Sequence, residues 1–269
     1  MYAFIHIPKT AGTTMRALLR RSFGAWHLDI RPPMHKRTSK AWISAEDLRK
    51  AQRVYPILDG ICGHRVTPFN GLEKRHPELR YFTFLRDPLR RFVSDFLGSH
   101  RKQLEQCSRV DLERFCADPE QRNVQTRWLC GSEDPGEAIR IMEEKVGFVG
   151  LTEQFDESLV LFSAWLGNDR LQDRYLRKNT GRGKITWPIL EDPDLRARVE
   201  EANTADIEVY RYATEVIFPT QAEAYGPGLE RDVEAMRRRN ADFIESREPV
   251  WGQTKRNCIY KPLLHLRMI

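Results

Sequence analysis

Apolar and polar positions divide the chain into short alternating blocks. Tyr2-Ala3-Phe4-Ile5-His6-Ile7 is an apolar run of strand-forming residues that stops at Pro8-Lys9-Thr10-Ala11-Gly12-Thr13-Thr14. Beyond it Met15, Ala17, Leu18 and Leu19 alternate with Arg16, Arg20 and Arg21 at helical spacing. Residues 56–64 and 80–85 read as two more buried strands. Between the first strand and these, Ser44-Ala45-Glu46-Asp47-Leu48 predicts a helix start, with Ser44 as N-cap, Asp47 three residues on and an end near Arg53. Asp87-Pro88 ends the 80–85 strand and opens a helix, Asp87 as N-cap and Pro88 in its first turn. Phe92, Val93 and Phe96 would form the face of that helix packed on the sheet. Val146 to Leu151 predicts a further strand, and apolar residues at 155, 159, 162 and 166 predict an amphipathic helix after it.

Strands alternating with helices imply an α/β fold around a parallel sheet. The rest of the chain reads as helix. Residues 99–145 are polar and helical, and residues 188–225 carry Pro-then-acidic helix starts, with Leu195, Val199, Ala202, Ile207 and Tyr210 at packing positions. Residues 226–248 form a charged helix. There is no internal repeat.

The first junction has the layout of a phosphate cradle: strand, tight loop with Lys and Gly, then a helix opening on Thr13-Thr14. A helix start offers unpaired backbone N–H groups and the positive end of its dipole to an anionic oxygen. Thr13 and Thr14 add hydroxyls, Lys9 adds a mobile charge, and Gly12 lets the backbone approach closely. The nucleotide-triphosphate loop is a different pattern, with Lys after its second Gly. Here Lys9 precedes the only Gly, in a shorter loop. An ordinary Thr-capped strand–turn–helix is the plainer alternative.

Composition narrows the picture. With 269 residues, 30% charged and 41% hydrophobic, the chain is globular and buries one substantial core. Its net charge of +6 suits an anionic ligand. Nucleic acid is not indicated, since there is neither an aromatic–basic repeat nor zinc-finger spacing. Five Cys, at 62, 107, 116, 130 and 258, are odd in number and lack C-x-x-C, so reduced, buried thiols in a reducing compartment are expected. No run reaches the ~20 apolar residues of a bilayer span, and no leader precedes the first strand.

The second junction completes the pattern. Phe84-Leu85-Arg86-Asp87-Pro88-Leu89-Arg90-Arg91-Phe92-Val93-Ser94, taken with Phe4 to Thr14, resembles the two nucleotide motifs of the carbohydrate sulfotransferases, and more narrowly the family of heparan sulfate 2-O-sulfotransferase. The resemblance implies a P-loop-like three-layer α/β fold, with a helix-rich C-terminal half and one domain over residues 1–269. It implies PAPS (3′-phosphoadenosine 5′-phosphosulfate) as sulfuryl donor, PAP as product and no metal. Lys9, Thr10, Ala11, Gly12, Thr13 and Thr14 would hold the 5′-phosphosulfate, and Arg86 and Ser94 the 3′-phosphate. A guanidinium grips phosphate through parallel hydrogen bonds. Arg90 and Arg91 are expected in solvent. The acceptor would be a small-molecule or glycan hydroxyl. Relatives in the Golgi carry an anchor and stem, so their absence here implies a soluble, bacterial, cytoplasmic enzyme.

His64 follows Gly63 at the end of the 56–64 strand, where a His can take a proton from a hydroxyl near neutral pH. The relatives carry His-Gly-His at this place with the second His as base; here Cys62 replaces the first and His64 matches the second. Asp59 and Glu73 are reserve candidates for the base. His6 is expected to be buried, hydrogen-bonded and structural. Asn123-Val124-Gln125-Thr126-Arg127-Trp128-Leu129-Cys130-Gly131 again resembles the family; Gln125, Arg127 and Trp128 either border the ligands or are a core Trp with a surface Arg. Two basic loops stand apart. Arg31 to Arg37 either meets an acidic acceptor or is solvated. Asn179 to Lys184 either closes Arg182 and Lys184 over the 3′-phosphate or is a linker. The alternatives to a sulfotransferase are a small-molecule or nucleotide kinase of the same fold, and a non-catalytic PAP- or glycan-binding protein.

Overall fold

In the computed structural model, residues 1–30, 42–55, 57–100, 107–167, 170–175 and 189–241 are described, with isolated positions beyond them. The loop Arg31–Arg37, Arg182 and Lys184 with their loop, and most of the tail after 241 lie outside the described residues.

Five parallel strands form the sheet among the described residues, in the order β2-β3-β1-β4-β5. They are β1 (Tyr2–Ile5), β2 (His27–Asp29), β3 (Gly60–Gly63), β4 (Arg80–Leu85) and β5 (Val146–Leu151). The apolar runs predicted β1, β3, β4 and β5, because a parallel sheet covered on both faces buries the side chains of its inner strands; β2, three residues of mixed polarity after Trp26, was not predicted. All of β1 is buried, as are Tyr81 to Leu85 of β4. The first and third strands are shorter than their apolar runs. His6 and Ile7 leave the ladder, and β3 begins only at Gly60.

Helix α1 (Gly12–Phe23) follows β1, and α2 (Ala45–Val54) carries the expected Ser44–Asp47 capping box. Helix α3 (Pro88–Ser99) follows β4, with the Asp87 side chain accepting from the Arg90 N–H at 2.8 Å. Then come α4 (Arg109–Ala117), α5 (Val124–Cys130), α6 (Pro135–Lys145) and α7 (Phe155–Leu166). The C-terminal part contributes α8 (Pro193–Glu201), α9 (Thr204–Tyr212), α10 (Phe218–Tyr225) and α11 (Leu229–Ala241).

Phe92 and Phe96 do not pack on the sheet as expected. They join Leu112 and Phe115 of α4 and Leu195 and Val199 of α8 in a second apolar cluster. Arg91 is likewise not in solvent: it is fully buried, and the reason lies in its partners described below. Of the five Cys expected to be buried, only Cys62 is; Cys107, Cys116 and Cys130 are half-buried and Cys258 is exposed.

The order of the strands places the site. After β1 the chain departs through α1 toward β2; after β4 it departs through α3 toward β5 on the other side. Since β1 and β4 are neighbours, the connections diverge between them and leave a crevice at their carboxyl ends, where open α/β sheets bind ligands.

Candidate active site

The loop after β1 is held in an unusual backbone shape. Lys9 (φ 70°) and Ala11 (φ 61°) adopt the left-handed conformation, which costs a non-glycine residue about 1–2 kcal/mol. Thr10 is fully buried and its hydroxyl donates to the Ile7 carbonyl at 3.1 Å, so it braces the loop from inside. Ala11 occupies the N-cap of α1, no side chain caps that helix, and no acidic residue stands in its first turn. The start of α1 is therefore electropositive and open.

Gly12 has a role the sequence did not suggest. A Cβ there would fall 1.9 Å from Cδ2 of His6, so the missing side chain makes room for the His6 ring. His6 in turn stacks with Phe4 (centroids 5.5 Å apart) and with His64 (4.0 Å). It is buried as expected, but its Nδ1 finds no hydrogen-bond partner among the described residues. Burial, with the His64 and Arg16 charges adding to it, drives the His6 pKa down to about 3.

The two motifs meet. Arg86, at the end of β4, is half-buried, and its Nη1 donates to the backbone oxygen of Lys9 at 3.2 Å. The Lys9 ammonium reaches across to α3, where a Cβ on Gly98 would lie 2.6 Å from Nζ. Ser94 is half-buried on the same helix, one turn before Gly98. Burial lowers the pKa of Lys9, with Arg86 and Arg91 in the same sense and Asp95 opposing. Burial also lowers that of Arg86, against Glu153, whose Oε1 lies 3.9 Å from Arg86 Nε. Crowded, partly desolvated cations beside an open helix start are the environment in which a multivalent anion relieves repulsion.

His64 sits just past β3, as His6 sits just past β1, after the paired strand ends Gly63 and Ile5. Its Nδ1 lies 2.7 Å from the His6 carbonyl oxygen. A carbonyl only accepts, so Nδ1 carries the proton and neutral His64 keeps a lone pair on Nε2. The residue is exposed as a whole, yet partial desolvation of its imidazole lowers its pKa. Arg16 lowers it further, while the His6 carbonyl and Asp95 act in the opposite sense. A cavity of about 190 Å³ lies beside it, lined by His6, Arg16, Asp29, Cys62 and His64 among others. Trp128 Nε1 donates to the His64 carbonyl at 3.0 Å, so this Trp borders the site.

The reserve bases lie elsewhere. Asp59 precedes β3 at the opposite edge of the sheet and pairs with Arg170. Glu73 accepts from Lys145 Nζ (2.9 Å) and from the hydroxyl of Tyr81, near the start of β4. Arg127 Nη1 donates to the Pro119 carbonyl at 2.6 Å, an exposed contact.

His27, Asp29 and Cys62 bring three potential metal-ligand atoms within 4.8 Å of one another. The set is a poor match for a cation. Arg20 already holds the Asp29 carboxylate through Nε (2.6 Å) and Nη2, Arg16 Nε stands 4.0 Å away, and burial pushes the Cys62 thiol well above its ordinary pKa.

Comparison with known proteins identifies the family. The sulfotransferase family matches residues 2–213 of the 269, a span that holds both motifs, His64 and all five strands. The chain belongs to the sulfotransferase family. No curated protein matches it. Family membership assigns sulfuryl transfer as the general chemistry. Among the described residues no helix of this sulfotransferase is long and apolar enough to cross a membrane.

Sequence reasoning missed three members of the site's support: Arg91, Asp206 and the contact of Gln125 with Arg86. The Asn123–Gly131 segment carried the only signal, a motif without an assigned partner.

Proposed function

We propose that the chain transfers the sulfuryl group of PAPS to a hydroxyl of a carbohydrate acceptor. The observation that carries this reading is the meeting of the two motifs, Arg86 Nη1 on the Lys9 carbonyl at 3.2 Å, where the connections of β1 and β4 diverge. Lys9 and the N–H groups at the start of α1 receive the 5′-phosphosulfate. Arg86 and Ser94 receive the 3′-phosphate, the group that separates PAPS from ATP. The acceptor enters from the cavity beside His64.

In the transfer, His64 Nε2 takes the proton of the attacking hydroxyl as its oxygen bonds to sulfur. The bond between sulfur and the bridging phosphate oxygen breaks, leaving PAP and a sulfate ester. Lys9 and the helix start stabilise the charge that grows on the departing phosphate oxygen. Arginines around the cavity, Arg16 and Arg65, suit hydroxyl-rich or acidic sugars.

A screen of glycans and small alcohols with ³⁵S-labelled PAPS tests the proposal. Label transferred to a sugar hydroxyl by the wild type, and not by His64→Ala, is the expected result. PAP binding without turnover on any acceptor would favour a non-catalytic binding protein instead.

A further inference from the structure

The Asn123–Thr126 segment and Asp206 are joined by a buried network that ends on the backbone of Arg86. Helix α5 has no side-chain cap of its own, and neither has α9. Each borrows one from the other. The Asn123 side-chain oxygen accepts from the N–H groups of Ala205 (3.0 Å) and Asp206 (3.3 Å) at the start of α9. The Asp206 carboxylate accepts from the N–H groups of Gln125 (3.0 Å) and Thr126 (2.8 Å) at the start of α5, and from the Thr126 hydroxyl (2.8 Å). Asn123 adopts a left-handed conformation (φ 44°) to do so.

Gln125 carries this fixed point to the site. Its side-chain oxygen accepts from the Arg86 N–H at 2.9 Å, and its side-chain nitrogen donates to the Arg86 carbonyl at 2.9 Å. One carboxamide thus satisfies both backbone groups of Arg86, the residue at which β4 ends and the chain turns into α3. Gln125 and Asp206 are fully buried. Asp206 faces Arg91, also fully buried, with Arg91 Nε 4.0 Å from its Oδ2. Arg91 Nη1 pairs with Asp95 at 3.2 Å, on the same helix as Ser94. Both proposed ligands of the 3′-phosphate, Arg86 and Ser94, are therefore registered against one buried carboxylate.

We infer that Gln125, anchored by Asp206, is a positioning residue that sets the Arg86 guanidinium for the 3′-phosphate and so determines selection of 3′-phosphorylated nucleotide. The inference rests on the reading of Arg86 given above. Holding a binding group through a second layer of hydrogen bonds is worth most where the bound group must be met in a fixed orientation, as a guanidinium meets a phosphate. Among the described residues the network reaches the Lys9–Thr14 loop only through the Arg86 guanidinium on the Lys9 carbonyl, so its effect on a 5′-phosphate should be the smaller one.

Calorimetric titration of the full chain with PAP and with AMP, which lacks the 3′-phosphate, separates the roles. The wild type should prefer PAP. Gln125→Met keeps the volume of the side chain and removes both contacts to Arg86. It should weaken PAP binding by about tenfold while AMP binding stays within about twofold, the size of effect expected from a supporting residue. Gln125→Asn keeps the carboxamide but is one methylene too short to hold both backbone groups of Arg86, and should shift the preference in the same direction, which covers the case in which Gln125→Met does not fold. An unchanged PAP to AMP ratio in the variant that folds, or a parallel loss of both ligands, would overturn the positioning role. A wild type that binds AMP as well as PAP would instead overturn the reading of Arg86, and this inference with it.

Discussion

The imidazole of His64 lies against that of His6 with ring centroids 4.0 Å apart, and the His6 carbonyl oxygen holds its Nδ1 at 2.7 Å. Each residue directly follows a strand end, Ile5 of β1 and its partner Gly63 of β3, so the His64 imidazole is oriented by the backbone that leads into the Lys9–Thr14 loop.

One consequence is kinetic. Because its enclosure holds the His64 pKa below the ordinary value, the residue is neutral and ready to accept a proton at pH 7. The rate should fall with acidification only below about pH 6.5, the unperturbed His value, along a single acidic limb in kcat/KM. His64→Ala should lower sulfuryl transfer by about 10²- to 10⁴-fold and leave PAP affinity within about twofold. A pH–rate profile and a PAP titration check both parts, and full activity in the variant would remove His64 from the mechanism.

His6 makes an acid-stability prediction. Its folded pKa of about 3 lies below the unfolded value of about 6.5, so between these values the unfolded chain binds the extra proton. The His6 contribution is whole above pH 6.5 and is lost as the pH falls, at roughly 1.4 kcal/mol per unit in the steep part of that window. Urea unfolding at pH 7 and pH 5 should show the loss. His6→Phe, which cannot take up the proton, should show a smaller one.

Lys9→Ala and Arg86→Ala should each weaken PAP binding by about 10- to 100-fold, the worth of a hydrogen bond to a charged group. Lys9→Ala should slow transfer as well, since in the proposed mechanism its charge would meet the leaving oxygen. Calorimetry of the two variants is the measurement; unchanged affinity in both would reject the site.

Gly12→Ala should destabilise the fold. The added Cβ meets the His6 ring at 1.9 Å, and that ring is buried and stacked against Phe4 and His64, which resists its displacement. Overpacking of this kind costs about 1–3 kcal/mol, read as a drop of several degrees in Tm. In a His6→Ala background the same substitution should cost much less, and equal costs in the two backgrounds would contradict the contact.

Much of this architecture was legible in the chain. Four of the five strands lay in largely apolar runs, whereas the three residues of β2 offer no run to read, and the Ser44 and Asp87 caps followed from side chains that satisfy N–H groups three residues away. Local chemistry decides such features, so local sequence reveals them. Arg91 shows where this ends. A surface-like Arg in an amphipathic helix became a core residue because Asp206, from a helix far along the chain, waits beside it. The packing of Phe92 and Phe96 failed as an expectation for the same reason, since α8 supplies the apolar partners. Gly12 was read for its backbone, whereas the space it leaves is used by a ring six positions earlier.

The place of β1 in the middle of the sheet has a bearing on how the molecule breathes. β2 and β5 can fray from the rims while β1 keeps ladders on both flanks. Amide protons of β1 should thus be among the last to exchange with solvent, and partial opening would spoil the outer walls before it reached the anchor of the anion loop.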